Sequence, residues 1–332
     1  MGILHAIGAL ALATSIGHAM ANDQVTVQIG YDLRGDHGPF FVGKQKAIFA
    51  ADGIDIAAIN KGAGSVDTMR QVASGAGDFG FADLTTLVLA RSQHTPAVAI
   101  AAVNQRNPAA IIALAKTPLA KPEDLEGKSI GVVPTGASYL FFKAFIAVNK
   151  LDAGKIDVRT IKPPSEKQLL LGSVDTILGY IDAELPELEA RAGGRGSLNV
   201  LLGSDNGIIT YGYGLVTSEK MIRDKPDLVR RFVHAYLKAL AFTIRNPEPT
   251  VDAVIAENPE SRPRRNVLIA QLRADIAKTF TSNATKYYGL GYMPRVISQA
   301  TIDMLVAQQM IPAPLDIDKA FDNSFIGDAP KM

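Results

Sequence analysis

The 332-residue chain contains no cysteine and no tryptophan. Without a thiol it forms no disulfide, carries no thiolate nucleophile, builds no zinc–thiolate site and offers no cysteine for lipid attachment. A protein working in an oxidising compartment loses nothing by this. Histidine is scarce: His5, His18, His37, His94 and His234 include no pair at ligand spacing, and H-E-x-x-H is absent, so the sequence points to no metal. No run of Lys or Arg occurs and the formal net charge is +1, which speaks against nucleic acid as a partner, since phosphate binding needs concentrated positive charge. A Walker A motif is missing too. Gly75-Ala-Gly-Asp-Phe-Gly80 spells G-x-G-x-x-G. A helical pattern precedes it and a strand pattern follows, the reverse of a dinucleotide site, so these glycines read as a helix stop and turn.

Only the first stretch, MGILHAIGALALATSIGHAMA, is apolar and free of Lys, Arg, Asp and Glu. Ile3–Ile16 is short for a membrane span, and Ala19-Met20-Ala21 has small-x-small spacing before the polar Asn22-Asp23. Residues 1–21 therefore read as a secretory signal peptide, and the expected location is periplasmic.

What is present is ordinary globular composition, 47 % apolar and 20 % charged, on a chain longer than one core fills. Strand patterns at Val25–Ile29, Ile54–Ile59, Asp78–Phe81 and Ala97–Val103 alternate with helical patterns at Phe40–Ala51, Ser65–Ser74 and Leu84–Arg91. The alternation restarts with strands at Ser129–Val133, Val158–Ile161 and Thr176–Tyr180 and helices at Ser138–Asn149, Glu166–Leu171 and Glu184–Ala192. Long helices follow at Asp224–Arg245, Arg265–Phe280 and Ile297–Gln309. This order predicts an α/β fold of two similar lobes with mostly parallel sheets flanked by helices.

Ligands of open α/β sheets sit beyond the carboxyl ends of strands. Four loops fit: Gly30–Gly38, Lys61–Ser65, Thr135–Ser138 and Gly179–Glu184. Ser65 and Ser138 fall at helix starts, where free N–H groups attract an anion or carbonyl, although serine also caps most helices it begins. Tyr31, Tyr180 and Tyr211 lie at strand ends or loop starts, placed to stack on a planar ligand or to cover a core edge. Asp83, Asp182 and Glu184 are the carboxylates there, and His37 is the one histidine in such a loop.

These residues resemble a known family. The segments "HGPFFVGKQKAIFAADGIDI", "VASGAGDFGFADLTTLVLAR", "KPEDLEGKSIGV", "GSVDTILGY", "VRRFVHAYLKALAFTIRNPE" and "FDNSFI" are similar to the ABC-importer substrate-binding proteins of the nitrate, sulfonate, taurine and thiamine-pyrimidine group, from Val25 to Ile326. The resemblance implies a two-lobed type II periplasmic-binding fold with the ligand cleft between the lobes. The first lobe would comprise residues 22–113 and a helical C-terminal part, 215–332, with residues 114–214 forming the second. Crossovers are expected near Ile111–Thr117 and Gly212–Val216. It also implies no catalysis and no cofactor: a monomer captures a small-molecule solute and delivers it to an ABC transporter permease in the inner membrane.

Carried onto this chain, the family's ligand loops correspond to Tyr31, His37, Gly64, Ser65, Asp83 and Leu84 in the first lobe. In the second they correspond to Thr135, Gly136, Ser138, Tyr180 and Glu184, with Tyr211 near the crossover. "GYIDAELPELEARAG" is most similar to the heterocycle binders, which have an aromatic-x-x-x-Glu segment matched here by Tyr180 and Glu184. An aminopyrimidine-like solute is the first expectation and an organic sulfonate or carboxylate the second. A pyrimidine-synthesising enzyme on the same fold is the rival from another class, and it would need the histidine cluster and cysteines this chain lacks. Export predicts cleavage after Ala21: intact-mass analysis of periplasmic protein should give an N-terminus at Asn22, and recovery of uncleaved Met1 in the cytoplasm would contradict it.

Overall fold

A computed structural model describes residues 21–134, 137–162, 164–313 and 315–332. The apolar leader, residues 1–20, and the candidate site residues Thr135 and Gly136 lie outside the described residues.

Strand β1 (Asp23–Ile29) alternates as its sequence demands, turning Val25, Val27 and Ile29 into the core. It pairs in parallel with β2 (Ile54–Lys61) and β3 (Phe79–Asp83). β4 (Ala97–Ala102) completes the sheet, but β3 and β4 do not touch. Between them runs β10 (Tyr213–Ser218), antiparallel to both, giving the order β2-β1-β3-β10-β4. The second sheet repeats the plan with β5 (Ala109–Leu114), β6 (Ser129–Val132), β7 (Asp157–Thr160), β8 (Thr176–Tyr180) and β9 (Leu198–Leu202) in the order β7-β6-β8-β5-β9. Here β5 is the inserted antiparallel strand.

Helices cover both faces of each sheet. In the first lobe α1 (Gly38–Gln45), α2 (Ile48–Ala51), α3 (Ser65–Ser74) and α4 (Leu84–Ser92) belong to the strand–helix units; in the second, α5 (Ala137–Val148), α6 (Ser165–Leu170) and α7 (Glu184–Ala192) do. After β10 the chain returns to the first lobe as α8 (Glu219–Asp224), α9 (Pro226–Arg245), α10 (Pro247–Glu257), α11 (Arg265–Lys278), α12 (Asn283–Tyr288), α13 (Arg295–Ala307) and α14 (Ile317–Ala320). None of the described helices is long and apolar enough to cross a membrane.

Four apolar clusters result, one for each sheet face. β5 shows why its run has no polar positions: Ala109, Ile111 and Ala113 face one cluster and Ala110 and Ile112 the other. In the first lobe Phe232 of α9 stacks on Phe79 at 3.6 Å and 3°, with Phe49 tilted against it at 5.7 Å.

The expected two-lobed α/β fold is present, and it differs from the expectation in detail. The crossovers are residues 103–108 and 203–212 rather than Ile111–Thr117 and Gly212–Val216, because Ile111–Leu114 and Tyr213–Val216 belong to the sheet strands β5 and β10. The single helix expected over Phe40–Ala51 is two, separated where Ala47 takes φ +55°. The helix expected from Asp224 starts at Pro226, since a residue before proline is driven out of helical geometry, and Lys225 sits at φ −138°, ψ 51°.

Phe232 is fully buried between two aromatic partners. Phe232→Ala should cost about 3–5 kcal/mol in urea unfolding; a loss below about 1 kcal/mol would show that this cluster does not anchor the lobe.

Candidate functional site

The loops that follow β1, β2, β3, β6, β7 and β8 all lie at the carboxyl ends of parallel strands. First-lobe and second-lobe residues meet there. Asp83 and Thr85 share the lining of a small cavity with Asn107, Phe141, Tyr180 and Thr210. Its volume is about 10 Å³, the space of one water, so a solute enters this point only if the lobes part. A larger groove of about 790 Å³ runs between α7 and α11, floored by Leu185, Leu202 and Ile269 and rimmed by charges including Arg195 and Lys278.

The first-lobe wall is built from helix starts. Gly64 takes φ +103°, and a Cβ there would lie 2.6 Å from the Tyr31 hydroxyl, so glycine is what lets Tyr31 lie against the start of α3. Tyr31 itself is 64 % exposed. The Ser65 hydroxyl accepts the Asp83 N–H at 3.0 Å and so ties the starts of α3 and α4 together. Asp83 caps α4, accepting the Thr86 N–H at 2.7 Å and the Thr86 hydroxyl at 2.9 Å. Its burial pushes the carboxyl up to about 6 despite those bonds.

The second-lobe wall carries Tyr180, the last residue of β8, and Glu184, the first of α7. One Glu184 oxygen accepts the Tyr180 N–H at 2.8 Å. Burial, then the neighbouring Glu166 charge, pushes the Glu184 carboxyl up to about 7. Tyr180 is half-buried and lies 6.2 Å from the ring of Tyr213. Ser138 is half-buried in the first turn of α5.

Three of the residues expected at the ligand are buried. His37 is buried, its Nδ1 accepting the Arg34 N–H at 3.1 Å and its ring meeting Phe81 edge-on at 5.3 Å; burial lowers its pKa to about 4. Leu84 is fully buried in an apolar cluster of the first lobe. Tyr211 is fully buried, with its hydroxyl donating to the Pro294 carbonyl at 3.0 Å and its ring against Phe321.

Sequence reasoning named Asp182 among the loop carboxylates but missed Arg34, Asp36, Tyr213 and Asp275 at the lobe boundary. Tyr213 stacks on Phe81 at 5.4 Å and 5°, and the Arg34 guanidinium lies 4.5 Å from the Tyr213 ring centre. Arg34 holds both oxygens of Asp36, at 3.2 Å and 2.6 Å, and keeps that carboxyl below its ordinary range although burial opposes this. Asp182 and Asp275, fully buried, complete a cluster of three carboxylates with oxygens within 4.8 Å of one another. Asn104 and Asn107 bind the two crossovers together. The available signal was Asn104-Gln-Arg-Asn107, a polar island between the apolar strands 97–102 and 109–114.

Comparison with known proteins agrees with this architecture. Residues 34–250 match the family model described as NMT1/THI5 like. The chain is 29 % identical to the riboflavin-binding protein RibY of Chloroflexus aurantiacus, over 91 % of this chain and 86 % of that one. It is 21 % identical to a formylaminopyrimidine-binding protein of Halalkalibacterium halodurans, over 73 % and 72 %. It is 23 % identical to a 4-amino-5-hydroxymethyl-2-methylpyrimidine phosphate synthase of Legionella pneumophila, over 72 % and 75 %. In fold it is similar to the periplasmic aliphatic sulphonate binding protein SsuA of Escherichia coli, with a TM-score of 0.70 at 13 % identity, over 89 % of this chain and 91 % of that one.

The raised Asp83 carboxyl has a consequence for stability. A folded-state pKa above the unfolded one favours folding at low pH, and that advantage is lost as pH rises from about 4 through about 6. Asp83→Asn keeps a capping acceptor and removes the buried charge, so the fall in melting temperature between pH 4 and pH 8 should shrink. An unchanged or steeper fall would contradict this assignment.

Proposed function

The chain belongs to the NMT1/THI5 like family, and from that premise we propose that it is the solute-binding component of an ABC importer, taking a planar nitrogen heterocycle between its lobes and delivering it to a permease. The observation that carries the heterocycle is the pairing of Tyr180 and Glu184 on one wall. An aromatic face supplies stacking, and the second Glu184 oxygen supplies an acceptor for a ring N–H or amino group. The carboxylate gives discrimination, because an analogue without the donor leaves a buried acceptor unpaired. Ser65 and Ser138 supply polar contacts from opposite lobes, and Tyr31, beside Gly64, adds an exposed aromatic.

Two relatives support the class of solute, since riboflavin and a formylaminopyrimidine are both nitrogen heterocycles with N–H donors. A sulfonate or carboxylate would be better served by a cation, and Arg34 at the lobe boundary is already committed to Asp36. Catalysis of pyrimidine formation is the weaker reading, because the chain has no cysteine and His37 is closed into the interior. Periplasmic residence follows from this reading and from the apolar leader.

Calorimetry with riboflavin, a 4-aminopyrimidine and taurine decides among these solutes. A heterocycle should bind, and Glu184→Gln should weaken it by about 1–3 kcal/mol, roughly 5- to 150-fold in Kd. If only taurine binds and Glu184→Gln changes nothing, the heterocycle reading is wrong.

A further inference from the structure

Arg34 and Asp36 neutralise each other, and what faces them is not neutralised. Asp182 comes from the loop between β8 and α7 in the second lobe, and Asp275 from α11 on the first. Both are fully buried. Asp275 accepts the Asn104 amide and the Thr279 hydroxyl on one oxygen, at 2.7 Å and 2.5 Å, while its other oxygen has no partner among the described residues. Neither oxygen of Asp182 has a partner among the described residues. Two ionised carboxylates so placed, buried from solvent and with three of their four oxygens unpartnered among the described residues, would carry a poorly compensated charge that buried sites do not tolerate.

We propose that Asp182 and Asp275 share one proton across the lobe boundary, so that the lobes close by taking up a proton from solvent and open by releasing it. The neutral partner donates its O–H to the other carboxylate and satisfies oxygens that otherwise have nothing. When the lobes part, both groups hydrate, the carboxyl regains its ordinary acidity and the proton leaves. Burial raises both groups, Asp182 to about 6, which agrees with the geometry. A divalent cation is the poorer occupant, because it would sit against the guanidinium that already holds both Asp36 oxygens.

The surrounding groups hold one charge state between pH 5 and pH 8. From the loop after β1, Arg34 stays charged, Asp36 ionised and His37 neutral. Tyr213 of β10, Tyr236 of α9 and Tyr180 of β8 have phenols raised by burial and stay neutral. Gln271 on α11 and Asn104 in the crossover do not titrate; Gln271 donates to the Ala183 carbonyl at 3.2 Å and so holds the Asp182 loop against the first lobe. Asp83 and Glu184, on the cleft walls, do titrate in this range and need controls. The sign follows: a carboxyl raised in the closed form favours closure below its ordinary pKa, and the advantage is lost as pH rises through about 6.

The proposal rests on lobes that move but on no particular solute, so the test uses the solute-free full chain. Small-angle scattering from about pH 5 to about pH 8 should show the radius of gyration rising in the wild type, in Asp83→Asn and in Glu184→Gln. Asp182→Asn should stay compact throughout, because its amide donates to Asp275 without a proton. A flat wild-type profile, or expansion of Asp182→Asn in parallel with the wild type, overturns the proposal. So does compaction that requires magnesium or calcium and is reversed by a chelator, which would make the cluster a cation site. Infrared spectroscopy needs no variant: at pH 5 the compact wild type should show the carbonyl stretch of a water-free protonated carboxyl, weakening as the protein expands. Absence of that band overturns it too.

Discussion

A chain that passes twice between two sheets must bury the connecting backbone without leaving its polar groups unpaired. The rest of the structure depends on how that is done. Asn104 donates to Asp275 and Thr279 and accepts the Tyr213 N–H at 3.1 Å. Asn107 donates to the Thr210 hydroxyl at 3.0 Å and the Tyr211 carbonyl at 2.9 Å and accepts the Ala109 N–H at 2.9 Å. Each asparagine thus joins one crossover to something beyond itself, and between them they fix where β5 and β10 begin. An amide suits this because it gives two donors and an acceptor with no charge to bury.

From that junction the cleft follows. β10 starts at Tyr213, whose ring is held between Phe81 and Arg34, and Tyr180 lies beside it from the other lobe. The aromatic contact is apolar and tolerates a change of angle, whereas Arg264–Glu187, an ion pair between the lobes at 2.6 Å and partly exposed, breaks at little cost. A boundary made of soft contacts around a rigid pair of crossovers is suited to hinge motion. The exception is the buried carboxylate cluster, where separation changes the hydration of two charges.

Much of this was legible from residue pattern. Thr176–Tyr180 and Glu184–Ala192 occur as strand and helix where the periodicity put them, because both are bounded by residues that end an element: Gly172-Ser before the strand and Gly193 after the helix, at φ +104°. Strand direction was not legible. β5 and β10 are apolar on both faces like parallel strands, and nothing in such a run says that it is inserted antiparallel. Tyr211 and Tyr213 are two residues apart, but Tyr211 lies in the crossover, where strand parity does not hold, and it enters the core while Tyr213 faces the lobe boundary. Arg34 and Asp275 are far apart in sequence, so their cluster with Asp36 and Asp182 had no local signal.

The central claim is that the wall formed by Tyr180 and Glu184 holds a planar nitrogen heterocycle between the lobes. A crystal structure grown with riboflavin tests it most directly. The account predicts ring density between the lobes, in contact with Tyr180 and with a ring N–H facing the Glu184 carboxylate. Density in the groove between α7 and α11, with the cleft between the lobes empty, would contradict it.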